Sequence, residues 1–270
     1  MRLAAMSAAL VLLVGCTTTG VLNPQPIAPK PTRYAAIVMD ARTGRVLHSE
    51  KADARRFPAS LTKMMTVYML FEALDRGQLT KSTPIYFSRN AARKPASKLG
   101  LRAGQSLTTD QAIQALVVKS ANDVATAVAE RLGGSEAQFA RTMTLKARSL
   151  GMNSTTFKNA SGLPDRGQIS TARDMAKLSI ALKRRFPHHY HYFGKTSFKF
   201  GNRTIRGHNR VLGQLKGANG IKTGYTRASG FNLATSVTRG RRSYVGVVMG
   251  ENSGGVRNKR MVQLMNRYAR

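Results

Sequence analysis

The 270-residue chain has a single cysteine and no tryptophan. One cysteine permits no intrachain disulfide and excludes a zinc site built from several cysteines. Because aromatic residues make up only 7% of the chain, the sequence gives little support for a stacking platform that binds single-stranded nucleic acid. A hydrophobic content of 42% is enough for one sizeable core, so the fold needs neither disulfides nor metal to hold it together.

The chain also has no apolar run long enough to span a bilayer, which takes about 20 residues. The apolar stretch from Leu3 to Val14 follows Arg2 and has the length of a signal-peptide core. We therefore predict that residues 1–15 form an export signal.

The only cysteine, Cys16, directly follows this stretch and the small residue Gly15. The arrangement resembles the lipobox of bacterial lipoprotein precursors, in which the cysteine is acylated and becomes the mature N-terminus; an ordinary cleavage site is the alternative. Residues 16–33 are predicted to be a lipid-anchored, extended tether, because they are rich in proline and small polar residues. The prolines of this segment are Pro24, Pro26, Pro29 and Pro31.

The pattern of residues 34–270 predicts one mixed α+β domain. Strand-like runs occur near both ends of this segment, and the region between them has mostly helical periodicity. The predicted strands are Tyr34 to Met39, Arg45 to Ser49, Thr196 to Phe200, Arg203 to Arg206, Gly220 to Thr226, Gly230 to Thr238 and Ser243 to Met249. The predicted helices are Ser60 to Gly77, Thr109 to Val118, Asn122 to Leu132, Ser135 to Leu150, Thr171 to Leu182 and Val256 to Tyr268. We expect an antiparallel sheet assembled from N- and C-terminal segments, with an inserted helical lobe.

A serine and a lysine lie one turn apart at the start of the first predicted helix. Ser60 and Lys63, in Ser60-Leu61-Thr62-Lys63, share one helix face. A lysine can take the proton of a serine hydroxyl only if burial or a second cation lowers its own pKa. The helix N-terminus also offers free N–H groups to an oxyanion. Alone this tetrapeptide is a weak signal, since a helix cap with a solvated lysine has the same pattern.

Two further short motifs strengthen the interpretation. Ser120-Ala121-Asn122 precedes a predicted helix, and Lys222-Thr223-Gly224 lies in a predicted strand. The order and spacing of S-x-x-K, S-x-N and K-T-G are typical of penicillin-recognising serine enzymes.

With these motifs the chain resembles the low-molecular-mass penicillin-binding proteins, the serine D-alanyl-D-alanine carboxypeptidases of peptidase family S11. The resemblance covers roughly Tyr34 to Arg270 and implies a β-lactamase/transpeptidase-like fold. It extends to Phe57 to Thr66, Lys119 to Asp123, Asn159 to Pro164, Ser170 to Ala176 and Gly220 to Thr226.

The resemblance implies a catalytic role for three residues. Ser60 would attack the carbonyl between the two D-alanines and form an acyl-enzyme, and Lys63 would accept its proton. Ser120 would pass a proton to the leaving amine. Lys222 would stand nearby, and its charge would oppose protonation of Lys63.

The remaining residues implied by the resemblance bind the substrate. Asn122 would hydrogen-bond its peptide group, and the N–H groups of Ser60 and Tyr225 would form the oxyanion hole. The other substrate-binding residues are Lys222, Thr223 and Gly224. Arg257 is predicted to hold the terminal carboxylate together with Thr223, and Arg227 is a nearer competitor for that role.

The implied activity is removal of the terminal D-alanine from peptidoglycan stem peptides during cell-wall remodelling. β-Lactams are expected as covalent inhibitors and no cofactor is expected. Many family members carry a second, β-rich domain and a C-terminal amphipathic helix, whereas this chain ends with the catalytic domain. That shorter form is seen among D,D-endopeptidases, so cleavage of cross-links is the first alternative.

A serine β-lactamase is a second alternative. Class A β-lactamases have a glutamate between the second and third motifs as the deacylation base. No glutamate occurs here from Ala137 to Gly250. Asp165 and Asp174 remain in that span, and Asp165 lies in a stretch typical of the carboxypeptidases. Rapid β-lactam turnover is therefore not expected.

The charge raises a third alternative, a non-catalytic cationic binding protein. The chain has 44 lysines and arginines against 12 acidic residues, a net charge of +32. An exported protein meets anionic lipid and carboxylate-bearing stem peptides, so we expect a membrane-anchored periplasmic lipoprotein with no nucleic-acid partner. His188, His189 and His191 form the one metal-like cluster of the sequence; with no carboxylate nearby in sequence, they are interpreted as a surface loop, and no metal site is predicted.

Overall fold

A computed structural model describes residues 30–270 of the chain. The predicted export signal (1–15), the predicted acylation site Cys16 and residues 17–29 of the predicted tether lie outside the described residues. No helix in the described part of the chain is both long and apolar enough to cross a bilayer.

Five antiparallel strands form the central sheet, in the order β2-β1-β9-β8-β7. Their bounds are β1 Ala35–Asp40, β2 Val46–Glu50, β7 Ala218–Thr226, β8 Gly230–Arg239 and β9 Arg242–Glu251. N-terminal strand β1 pairs with C-terminal strand β9, with Ile37 opposite Val247. The predicted sheet of N- and C-terminal segments is therefore confirmed, and β7, which contains Lys222, is its edge strand.

Both faces of the sheet are covered because successive side chains of a strand point to opposite faces. Ile37 of β1 packs into the larger core on the side of the helical lobe, whereas its neighbour Val38 packs into a second core. Helix α8, Gly254–Tyr268, lies on this second face. The contact is close, since a Cβ at Gly246 would lie 2.7 Å from Met265 Sδ.

The inserted lobe is mostly helical, as predicted. Its elements are α1 Lys63–Asp75, β3 Pro84–Tyr86, α2 Arg89–Ala92, β4 Ser106–Thr108, α3 Thr109–Gln114, α4 Asn122–Gly133, α5 Glu136–Ser149 and α6 Ala172–Arg185. After the lobe come the hairpin β5 Ser197–Phe200 and β6 Arg203–Arg206 and the short helix α7 Val211–Gln214. Side-chain caps fix several starts; Thr108 and Gln111 form a reciprocal capping box at α3.

Several predicted helix boundaries were wrong. Helix α6, predicted to end at Leu182, continues to Arg185. Three further differences lie close together in the fold. The predicted helix from Ser60 begins as a tight 3₁₀ turn, Ala59–Thr62, and becomes α-helical only at Lys63. The α3 helix ends at Gln114 and is followed by a π-helical turn, Ala115–Lys119. Helix α8 begins at Gly254, two residues before its predicted start at Val256, and Arg257 lies in its first turn. These last three changes occur beside the cleft described next, where packing between elements overrides local periodicity.

Candidate active site

Ser60 lies in the 3₁₀ turn that leads into α1. The preceding residue, Ala59, has φ +48°, a conformation that costs a non-glycine residue roughly 1–3 kcal/mol. Gly162 holds this turn from the other side: its own φ is +86°, and a Cβ there would lie 1.9 Å from the Ala59 carbonyl oxygen. The serine is therefore fixed by a close backbone approach that only glycine allows at position 162.

Lys63 is completely buried beneath Ser60. Its Nζ lies 3.2 Å from Ser60 Oγ, 2.7 Å from Asn122 Oδ1 and 2.5 Å from the Ser161 carbonyl oxygen. The Asn122 amide is oriented by its own N–H donation to the Pro95 carbonyl, so its oxygen faces the lysine.

This geometry suits a neutral amine. Burial lowers the pKa of Lys63 well below 10.5, and the Lys222 ammonium lowers it further, while Asp123 and Glu136 act in the opposite direction. A neutral amine has two N–H donors and one lone pair. Asn122 and Ser161 accept the two N–H bonds, which leaves the lone pair for the hydroxyl proton of Ser60.

Ser120 and Lys222 form a second serine–lysine pair. Lys222 Nζ donates to Ser120 Oγ at 2.9 Å and to the Thr223 carbonyl at 2.9 Å. Ser120 has φ +62° at the end of the π-helical turn. Burial, with the charge of Arg257 as the second cause, lowers the pKa of Lys222 to about 7. This lysine can therefore exchange protons with Ser120 near neutral pH.

Strand β7 passes directly over the serine turn at Gly224. A Cβ on Gly224 would lie 3.0 Å from the Ser60 nitrogen and 3.2 Å from the Leu61 nitrogen. Since β7 is the edge strand, a substrate can lie alongside it as an added strand. Tyr225 follows Gly224, and its exposed ring stacks on Phe231 with the ring centroids 4.2 Å apart.

Arg257 lines the same region as Ser60 and Gly224, whereas Arg227 does not. Arg257 is only 6% exposed, and its guanidinium donates to Asn258 Oδ1 and to the Asn232 carbonyl. Burial lowers its pKa to about 10. Within residues 30–270 it has no carboxylate partner, so an anion that entered the cleft would face an unneutralised cation. Arg227 is exposed in the turn between β7 and β8.

These residues surround one cleft of about 900 Å³. Its walls include Ser60, Ser120, Asn122, Thr223, Gly224, Tyr225 and Arg257. No aspartate or glutamate of the described chain lines it. Asp165 accepts from the Gly167 N–H, and Asp174 accepts from Ser154 and Thr155, so both are used elsewhere.

Two buried polar residues that support the site were not assigned roles from the sequence. Asp123 accepts the N–H groups of Leu99 and Gly100, which fixes the segment that follows Pro95 at the cleft wall. Asn232 donates to the carbonyls of Phe57 and Pro58 and accepts the Gly250 N–H, which ties β8 to the serine turn. A polar side chain within an apolar strand or helix is the sequence signal that could have identified them.

The interpretation of the histidine cluster needs a correction. Asp75, at the end of α1, accepts from His188 Nε2 at 2.9 Å and from His189 Nε2 at 3.0 Å. A carboxylate therefore does lie next to His188 and His189, because folding brings together residues that are more than a hundred positions apart in sequence. The three side chains place ligand atoms within 4.8 Å of one another, the spacing of a possible metal site.

Comparisons of the sequence with known proteins all give D-alanyl-D-alanine carboxypeptidases. The sequence profile described as D-alanyl-D-alanine carboxypeptidase, peptidase S11, matches residues 24–253. D-alanyl-D-alanine carboxypeptidase DacF of Bacillus subtilis is 32% identical over 239 residues, 86% of this chain and 61% of that protein. DacA of Escherichia coli is 34% identical over 232 residues, 83% of this chain and 58% of that protein. The chain thus spans about three fifths of the length of these curated relatives.

Solved structures agree with the sequence comparisons. The D-alanyl-D-alanine carboxypeptidase DacD from Francisella tularensis superposes with a TM-score of 0.84 at 29% identity, covering 90% of this chain and 70% of that one. Penicillin-binding protein D2 from Listeria monocytogenes, solved in a cefotaxime-bound form, has a TM-score of 0.80 at 29% identity, covering 87% of this chain and 96% of that one. The predicted fold class is confirmed.

Proposed function

The chain belongs to the D-alanyl-D-alanine carboxypeptidase family, peptidase family S11, and from this membership we propose that it is a serine-type D-Ala-D-Ala carboxypeptidase acting on peptidoglycan stem peptides. The observation that carries the proposal is the fully buried Lys63, whose Nζ has two fixed acceptors and lies 3.2 Å from Ser60 Oγ. A lysine that only capped or solvated a helix would not be buried beneath the serine.

The acylation step follows from this arrangement. Ser60 Oγ attacks the carbonyl carbon of the penultimate D-alanine, and its proton passes to Lys63. The N–H groups of Ser60 and Tyr225 stabilise the oxyanion. As the C–N bond breaks, Ser120 protonates the leaving amine and is reprotonated from Lys222. Water then hydrolyses the Ser60 ester: its hydroxyl joins the acyl carbon, Ser60 Oγ takes back the proton held by Lys63, and Lys222 regains one from the water. The shortened peptide then leaves.

Substrate binding uses the cations and the edge strand. The peptide lies along β7, with its amide group on Asn122 and its free carboxylate near Thr223 and Arg257. A guanidinium fork matches a carboxylate through parallel hydrogen bonds, so Arg257 selects a free chain end. Two further residues of β7 complete the binding strand. Lys222 supplies a positive charge, and Gly224, which has no Cβ, allows the strand to lie close to the Ser60 turn.

β-Lactams are proposed as covalent inhibitors through the same serine. The Listeria relative has been solved in cefotaxime-bound and ampicillin-bound forms. No carboxylate of residues 30–270 lines the cleft. The cleft therefore has no counterpart of the glutamate that class A β-lactamases use to activate the water that hydrolyses the adduct. We expect a long-lived penicilloyl-enzyme, which disfavours the β-lactamase alternative.

Mass analysis of stem peptides incubated with the purified enzyme tests the proposed activity. Loss of one D-alanine from pentapeptides is the expected result, and Ser60→Ala should abolish it. Unchanged pentapeptides after incubation with an enzyme that is fully labelled by penicillin would contradict the carboxypeptidase assignment.

We also propose that the protein is a periplasmic lipoprotein anchored through Cys16. The proposal rests on the sequence before residue 30 and requires no spanning helix in the domain. Cys16→Ser should release the protein from membranes without altering catalysis. A Cys16→Ser protein that still pellets with membranes after a high-salt wash would instead point to the basic surface or to α8.

A further inference from the structure

A carboxylate and two histidine rings meet at the C-terminal end of α1. Asp75 is the last residue of this helix, and His188 and His189 directly precede the 3₁₀ turn Tyr190–Gly194. Asp75 Oδ1 lies 2.9 Å from His188 Nε2 and 3.0 Å from His189 Nε2. The two imidazole rings are in contact, with their centroids 4.1 Å apart. One carboxylate and two ring nitrogens therefore converge on one point from segments that are 113 and 114 positions apart.

The spacing of these ligand atoms fits a zinc ion. Two ligand atoms that each lie about 2.0–2.1 Å from a tetrahedral Zn²⁺ are about 3.3 Å apart. Both oxygen–nitrogen distances are within a few tenths of an ångström of that value, and all three ligand atoms lie within 4.8 Å of one another. Small ring rotations are therefore enough to enclose an ion. Imidazole nitrogen suits zinc, whereas Mg²⁺ and Ca²⁺ prefer a set of oxygen ligands.

The cluster has one fixed ligand and two that solvent can reach. The His189 side chain is only 10% exposed, and its ring stacks on Phe71 with the centroids 4.8 Å apart. The side chains of His188 and Asp75 are 56% and 34% exposed, so an ion can enter from solvent and keep a bound water. Lys81 is close enough for its charge to act on His189. Because this charge repels a cation, we expect micromolar affinity and not the tighter binding of an all-protein site.

We propose that Asp75, His188 and His189 bind a zinc ion that fastens the end of α1 to the segment before β5. Coordination replaces the two hydrogen bonds to Asp75. Each ring presents its Nε2 lone pair to the ion and carries its proton on Nδ1, and water takes the fourth position. The ion joins segments that are distant in sequence, so its binding stabilises the folded chain. This inference is independent of the proposed function.

The position of the cluster separates the ion from the serine chemistry. Helix α1 has 13 residues and begins at Lys63. At about 1.5 Å per residue, Asp75 lies about 18 Å from Lys63 along the helix. None of the three ligands lines the Ser60 cleft. Zinc is therefore expected to change the melting temperature and to leave the rate of penicillin acylation within about twofold.

The experiment measures the melting temperature and zinc binding of the full chain, purified without a histidine tag. The chain carries Cys16→Ser, because Cys16 is the one thiol that could bind zinc. After removal of metal with a chelator, zinc chloride at about 100 μM is expected to raise the melting temperature by about 3 °C or more. Magnesium chloride at the same concentration should change it by less than about 1 °C. Titration calorimetry should give a micromolar Kd.

His188→Ala and Asp75→Asn are the test variants, and His191→Ala is the matched control. The test variants change partly exposed side chains, so the fold should stay intact. Each is expected to weaken zinc binding by about 10-fold or more and to remove most of the melting shift. His191 is an exposed histidine of the same segment that is not one of the three ligands. His191→Ala should keep the Kd within about twofold.

Four results would overturn the inference. The first is a chain that neither binds zinc in the calorimeter nor melts higher with it, which would leave a hydrogen-bonded cluster only. The second is an equal melting shift with magnesium, which would indicate a general ion effect. The third is zinc binding that persists in both test variants, and the fourth is an equal loss in His191→Ala. Failure of the proposed function is seen separately, as no release of D-alanine from a pentapeptide.

Discussion

At the scale of single residues, the proposed acylation step requires Lys63 to be a neutral amine inside the protein. We expect Lys63→Arg to reduce the rate of acylation by penicillin as strongly as Lys63→Ala, by at least about 1000-fold. A guanidinium stays protonated at any pH the fold survives and cannot act as a base. Stopped-flow or mass-based acylation kinetics provide the measurement. Near-normal acylation by the arginine variant would remove Lys63 from this role.

A second residue-scale prediction concerns Arg257. Arg257→Ala is expected to lower turnover of a D-alanyl-D-alanine peptide by about 10- to 1000-fold, or roughly 1.5–4 kcal/mol, because the substrate carboxylate loses its buried partner. Turnover of the corresponding C-terminal amide should change little. Steady-state kinetics on the two peptides provide the comparison.

Arg227→Ala is the matched control for this prediction, since Arg227 lies in the exposed turn that directly follows Thr226. It should preserve the preference for the free carboxylate. If Arg227→Ala alone removed that preference, or if Arg257→Ala affected both peptides equally, Arg257 would not be the anchor.

The sequence indicated the candidate site residues, but it did not indicate the contacts that hold them in place. Ser60, Lys63, Ser120 and Lys222 were predicted from short motifs that keep chemistry-bearing residues at fixed spacing, and the structure brings them together in two serine–lysine pairs. Their partners belong to distant segments: the Ser161 carbonyl that accepts from Lys63 is 98 positions away. Backbone carbonyls have no sequence signal, so such a contact becomes visible only in the folded chain.

At the scale of elements, the central feature is the loop at Gly162 that supports the serine turn. We expect Gly162→Ala to lower the acylation rate by about 10-fold or more and the free energy of unfolding by roughly 1–3 kcal/mol. The added Cβ would collide with the Ala59 carbonyl and displace Ser60. Penicillin acylation rates and denaturant melts measure the two effects.

Gly151→Ala is the control, because Gly151 also has a positive φ, +73°, and its nearest contact for a Cβ is at 3.9 Å. It should lose about 1 kcal/mol of stability and keep acylation within about twofold. Equal acylation losses in both variants would show that backbone strain in general, and not the support of Ser60, governs the rate.

The elements themselves were largely predictable, whereas their distortions were not. Strand β8 was predicted as Gly230 to Thr238 and is Gly230–Arg239, since glycine-containing turns bound it at both ends. The positive φ of Ala59 and of Ser120 was unpredictable, because nothing local favours that conformation in either residue. Both residues instead contact segments that are distant in sequence: Ala59 lies against Gly162, and Ser120 accepts a hydrogen bond from the buried Lys222.

At the scale of the whole molecule, charge repulsion is the dominant property. The chain has only 12 acidic residues, and several are already in ion pairs, such as Glu72 with Lys146, Asp53 with Arg173 and Glu251 with Arg260. The excess of lysine and arginine therefore has few acidic groups left to neutralise it. Such self-repulsion destabilises the compact state and is screened by salt.

We therefore expect the melting temperature to rise by about 2–6 °C between about 20 mM and about 300 mM sodium chloride. Differential scanning calorimetry measures this shift. A neutral osmolyte at matched osmolality controls for solvent effects unrelated to charge. A melting temperature that falls with salt would mean that the ion pairs outweigh the repulsion.

The most direct test of the whole account is the intact mass of the protein after incubation with a penicillin. The wild type is expected to carry a single, persistent adduct, and Ser60→Ala is expected to carry none. Ser149→Ala, which removes an exposed hydroxyl at the end of α5, should keep the adduct. The same adduct on Ser60→Ala would contradict the assignment of Ser60 as the nucleophile and, with it, the proposed function.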